Sequence, residues 1–147
     1  MSARRRVLCR EIASRSEEVE GLCGEIRALL EACDLPHACF RVELLARECL
    51  ENAIVHGHGG DGSKKVRLTL SVGRRWIRLD VLDQGPGFDW RQARQKPLAE
   101  TTASAGRGLY IGALYARRMA FNREGNHITL WLTKKNETGA DHGRLHD

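Results

Sequence analysis

Apolar and polar positions change their period along the chain. In residues 65–72, KVRLTLSV, the apolar side chains Val66, Leu68, Leu70 and Val72 alternate with polar ones. A two-residue period predicts a strand with one buried face. Residues 76–83 repeat the pattern with Ile77, Leu79 and Val81, and Gly73-Arg74 between the two runs predicts a hairpin. Upstream the step lengthens to three and four. Val19, Leu22, Cys23, Ile26, Leu29, Leu30 and Cys33 mark one helix face behind Ser14-Arg15-Ser16-Glu17, which fits a capping box. Asp34 and Pro36 end that helix and start a second over 36–56, with Phe40, Leu44, Leu45, Cys49, Ala53 and Ile54 as its apolar side and Gly57 as its stop. Residues 5–12, RRVLCREI, read as a first strand.

Residues 84–105 carry Gly, Pro, Thr and Ser with weak periodicity, and a loop of that length in a compact domain is functional or disordered. GRGLYIGALYARRM then restarts a helix, and AFNRE with HITLWLTKK forms a final hairpin around Gly125-Asn126. The order β-α-α-β-β-loop-α-β-β predicts an α+β fold: a two-layer α/β sandwich of a mostly antiparallel, mixed sheet with helices on one face. One domain is expected over residues 4–135, and a polar, disordered tail over 136–147.

Composition narrows the picture. No apolar run nears the roughly 20 residues of a membrane span, and no apolar signal region follows the basic start MSARRR, so a cytoplasmic protein without a membrane partner is expected. The five cysteines are odd in number and contain no C-x-x-C, which favours reduced, packed thiols over a zinc or disulfide framework. His56 and His58, two apart, do not share a helix face and have no third ligand, so no metal role is assigned to them. The net charge of +5 fits an anionic ligand, an acidic partner surface or a solvated basic surface. Without interleaved aromatics to stack bases, no direct nucleic-acid binding is expected.

Three clusters bear candidate chemistry. Glu48 and Asn52 are four apart on the second helix and project from one face. The amide oxygen suits a hard cation such as Mg²⁺, and the carboxylate suits acceptance of a proton from an attacking hydroxyl. An ordinary helix with two polar residues gives the same spacing. Asp83 ends an apolar strand in VLDQGPGF, where a carboxylate accepts hydrogen bonds from an exocyclic amine such as that of adenine. Gly85 and Gly87 let the backbone approach a flat ligand. A plain turn after a strand also reads so. Gly106-Arg107-Gly108 opens a predicted helix, where free N–H groups and a guanidinium meet phosphate, although a hinge has the same wording.

Taken in order, the clusters resemble the boxes of the GHKL superfamily of ATP-binding domains, the Bergerat fold. Glu48 to Asn52 is similar to its N box, Asp83 to Gly87 to its first glycine box, and Gly106 to Gly108 to its second, over about residues 4–134. Within that superfamily the chain resembles the anti-sigma-factor serine/threonine kinases of bacterial partner switching, in ELLARECLENAIVHGH and GRGLYI. The resemblance implies ATP and Mg²⁺ as ligands, Asn52 holding the metal, Glu48 as general base or as the residue that orients the attacking hydroxyl, and Asp83 on the adenine amine. It implies that Gly85, Gly87, Gly106, Arg107 and Gly108 shape the pocket and its lid, and that Thr129 helps to hold adenine. It also implies a STAS-type antagonist as phosphoacceptor, a sigma factor or similar regulator as the sequestered partner, and a homodimer. The alternatives are a nucleotide-gated binding module without kinase activity and a detached histidine-kinase catalytic domain.

Overall fold

The structure is a computed structural model that describes residues 4–57, 63–85 and 114–135. Strand β1 (Arg6–Ala13) leads into helix α1 (Glu17–Ala32). A 3₁₀ turn (Pro36–Ala38) opens helix α2 (Cys39–Asn52), which widens into a π-turn (Ala53–Gly57). Strands β2 (Lys65–Val72) and β3 (Trp76–Asp83) follow, then β4 (Arg118–Phe121) and β5 (His127–Thr133). The sheet order is β1-β2-β3-β5-β4, and each of these pairings is antiparallel. Both helices lie on one face of the sheet, the α+β sandwich that the sequence predicts.

Alternation decides which side chains meet the helices. Leu68 and Leu70 of β2, Ile77 and Leu79 of β3 and Leu130 and Leu132 of β5 are fully buried against Leu22, Ile26 and Leu30 of α1 and Val42, Leu45 and Leu50 of α2. Each such side chain contributes about 1.5–3 kcal/mol by leaving water. The outer face is polar and aromatic: Arg78 and Arg118 both lie over the Trp131 ring, at 5.5 and 4.8 Å from its centroid.

Several local expectations change. Helix α1 starts at Glu17 without a side-chain cap; the Ser16 hydroxyl instead reaches Glu51 Oε2 at 3.4 Å, while Glu17, Glu18 and Glu20 complement the helix dipole. Asp34 takes a positive φ of 60° just after α1 and turns the chain into Pro36. Phe40 is 67% exposed and stands edge-on to Tyr115, because the buried stripe of α2 is set one position over, on Cys39, Val42, Leu45, Ala46 and Leu50. Arg118 and Met119 belong to a strand, not to a helix, because pairing with Trp131 and Leu130 claims them.

These contacts fix how α2 runs. At its start, Arg41 Nη2 donates to Thr133 O at 3.1 Å, and His37 Nε2 lies 2.6 Å from Lys134 O. Thr133 pairs with Trp76, the first residue of β3. At the far end, Ser16 meets Glu51, Ala13 pairs with Lys65, and Val66 pairs with Asp83. Helix α2 therefore spans the sheet from the start of β3 to its end.

Candidate functional site

The C-terminal turn of α2, the start of β2 and the end of β3 share one end of the sandwich. Glu48 and Asn52 stand on that last turn, both partly buried. Asn52 is the final α-helical residue, and the helix widens into the π-turn directly after it. Such widening recurs at functional sites because it re-aims side chains and backbone groups. The Asn52 side-chain oxygen is buried and accepts no hydrogen bond among the described residues. A buried amide oxygen without a donor is costly, so the atom can take a hydrogen-bond donor or a cation. It fits a hard cation, which prefers oxygen donors.

Glu48 forms neither a hydrogen bond nor an ion pair among the described residues. Its charge is still felt locally. Burial pushes the neighbouring Cys49 thiol up to about 12, and Glu48 adds to the effect. The other carboxylates of α2 are engaged: Glu43 with Arg27 at 2.9 Å, and Glu51 with Ser16. Glu20 of α1 pairs with Arg47 of α2.

Asp83 is the last residue of β3, and by alternation with Ile77, Leu79 and Val81 it faces the helices. Its carboxylate is oriented locally: Oδ1 accepts the Gly85 N–H at 2.7 Å. Gly85 is buried. The loop it starts is held from both sides. Gln84 Oε1 accepts the Lys65 N–H of β2 at 2.8 Å. Asn126, on the turn before β5, accepts the Asp83 N–H on its carbonyl at 2.9 Å.

Thr129 lies elsewhere. It pairs with Asp80 across β3 and β5, on the outer face, and its hydroxyl donates to Asp80 Oδ1 at 2.7 Å. It is 8% exposed and separated by the sheet from the face that carries Asp83. Arg78 binds the same carboxylate at 2.9 and 3.2 Å, and His127 lies 3.1 Å away. Burial of Asp80 works against its charge, but the hydrogen bonds from Arg78, Thr129 and His127 outweigh it and hold the carboxyl below its ordinary value. Thr129 is thus committed to an outer-face network.

The structure brings Glu48, Asn52, Asp83 and Gly85 to one end of the sandwich and leaves Thr129 outside that group. Gly87, Gly106, Arg107 and Gly108 lie outside the described residues, as does His58. Among the described residues there is no cluster of His, Cys, Asp or Glu able to hold a metal by itself, and no helix is long and apolar enough to cross a membrane. Gln84 and Asn126 hold the loop after Asp83 and Asn122 anchors Asn126, a role that the sequence shows only as turn chemistry at Asn126. Asparagines at both ends of the NREGN turn were the available signal.

Comparison with known proteins agrees with this fold. Residues 12–134 match the histidine kinase-like ATPase domain. The chain is also similar to the serine/threonine-protein kinase BtrW of Bordetella bronchiseptica, 31% identical over 96 residues, which cover 62% of this chain and 68% of that protein. The chain belongs to the histidine kinase-like ATPase domain family, an ATP-binding family.

Proposed function

We propose that this ATPase domain is a protein serine/threonine kinase that acts in partner switching. It transfers the γ-phosphoryl group of ATP to a hydroxyl on a STAS-type antagonist and sequesters a sigma factor or similar regulator. The observation that carries the reading is the pair on the last turn of α2: among the described residues, Glu48 has no hydrogen bond or ion pair and the Asn52 oxygen beside it lacks a donor. The likeness to a serine/threonine-protein kinase supports the same direction.

In this reading Asp83 accepts a hydrogen bond from the adenine amine, and Gly85 and Gly87 admit the base. Gly106, Arg107 and Gly108 cover the phosphates. Asn52 would hold Mg²⁺ through its amide oxygen, and the ion would supply charge neutralisation at the phosphates. Glu48 accepts the proton of the attacking hydroxyl as the new P–O bond forms and the bond to ADP breaks. Positioning supplies most of the acceleration, because phosphoryl transfer leaves the protein little covalent chemistry.

The test is incubation of the protein with γ-labelled ATP, Mg²⁺ and purified STAS-domain proteins from the same organism. Acid-stable label on a STAS protein, reduced at least about a hundredfold by Glu48→Gln, is the expected outcome. Label that survives Glu48→Gln contradicts the role of Glu48. Acid-labile label identifies a histidine kinase instead. ATP-dependent partner binding without any transfer identifies a nucleotide-gated module.

A further inference from the structure

The β4–β5 turn is built around two asparagine side chains, and the second of them reaches out of the turn. Asn122 Oδ1 accepts the backbone N–H groups of Gly125, Asn126 and His127 at 2.9, 3.0 and 3.1 Å. The Asn122 N–H bonds His127 O at 3.0 Å, and Gly125 takes a φ of 79°, a conformation that glycine adopts without strain. Asn122 Nδ2 then donates to Asn126 Oδ1. That bond fixes which way the Asn126 amide points. Its Nδ2 is left facing β3, where it lies 3.4 Å from both Asp83 O and Gly85 O.

We infer that Asn126 is a positioning residue for Asp83, and that it thereby sets how strongly the site prefers an adenine amine. This inference rests on Asp83 being the base-reading carboxylate. The Asp83 side chain is held by the Gly85 N–H. Asn126 bridges the carbonyls of the same two residues and receives the Asp83 N–H on its own carbonyl at 2.9 Å. The Asp83–Gly85 turn is therefore pinned at each end by one side chain from the β4–β5 turn. A carboxylate aimed in this way discriminates between partners by geometry, since a small misplacement weakens a directional hydrogen bond steeply. The Lys65 N–H of β2 also restrains this loop, but it does so through the side chain of Gln84, the residue between the two carbonyls.

The experiment compares ATP with ITP, which carries a carbonyl in place of the amine, by calorimetry on the full chain with Mg²⁺. Wild type should prefer ATP. Asn126→Ala should lower ATP affinity roughly fivefold, as expected for lost aim of one hydrogen bond. Affinity for ITP should move by less than about twofold, so the preference itself shrinks. In an Asp83→Asn background, Asn126→Ala should change the preference no further, because it acts through Asp83. An unchanged ATP-to-ITP ratio in folded Asn126→Ala overturns the inference while leaving ATP binding intact. Wild type that binds neither nucleotide overturns the ATP-site reading and this inference with it. Should Asn126→Ala fail to fold, wild type still decides. The Asn126 side-chain amide resonance should shift with ATP and less with ITP, and a resonance unmoved by saturating ATP refutes the proposal.

Discussion

Thr129 and Asp80 are joined across β5 and β3 by a 2.7 Å hydrogen bond, on the sheet face turned away from the helices. The bond is charge-assisted and mostly buried, so Thr129→Val should destabilise the protein by about 1–2 kcal/mol. Nucleotide affinity should not follow, because the sheet lies between Thr129 and Asp83. Urea denaturation and calorimetry on the same sample check both. A large loss of ATP affinity at unchanged stability would return Thr129 to the site.

The same network gives acid sensitivity a defined sign. Asp80 has a folded-state pKa below its ordinary 3.8, after its hydrogen bonds overcome burial. Its contribution to stability is therefore complete above about pH 4 and fades as pH falls through the lower folded value. The melting-temperature difference between wild type and Asp80→Asn should be largest near neutrality and shrink below about pH 4. A gap that widens on acidification would contradict the network.

Thiol chemistry tests the surroundings of Glu48. Cys49 is pushed up to about 12 by burial first and by Glu48 second, whereas Cys9 is exposed. At about pH 8 a disulfide reagent should label Cys9 in the native protein and reach Cys49 only after urea is added, because the thiolate is the reactive form. Rapid native labelling of Cys49 would mean that the last turn of α2 is open to solvent.

Leu50 sits between Glu48 and Asn52 in sequence and is fully buried beneath the last turn of α2. Leu50→Ala should cost about 2–5 kcal/mol by leaving a cavity. Because that cavity lies under the turn that carries the site, ATP affinity should fall as well, measured at a temperature where the variant remains folded. Unchanged affinity would separate the site from its packing.

Much of this architecture was legible in the sequence, and the misses share a cause. The alternation of Val66, Leu68, Leu70 and Val72 reads directly as a strand, because one buried face needs only a two-residue period. The spacing of Glu48 and Asn52 likewise places both on one helix face. What periodicity cannot carry is a decision made by a partner. Arg118 and Met119 continue a helical run in sequence, but Trp131 and Leu130 pull them into the sheet. Thr129 is pointed to by the resemblance alone, as a hydroxyl that helps to hold adenine. Its face depends on register with Asp80, which appears only once β3 and β5 are paired. Asn126 looked like turn chemistry, and its reach to Asp83 and Gly85 is a contact over 41 to 43 residues that local pattern does not encode.

The central claim is that Asp83, Asn52 and their glycines form a Mg-ATP site. Calorimetric titration with ATP, in Mg²⁺ and in chelator, on wild type and Asp83→Asn, tests it most directly. The account predicts binding in the micromolar range that weakens when Mg²⁺ is removed and falls about tenfold or more in Asp83→Asn, the loss of a hydrogen bond to a charged group. No binding heat in wild type, or equal affinity in the two proteins, would contradict it.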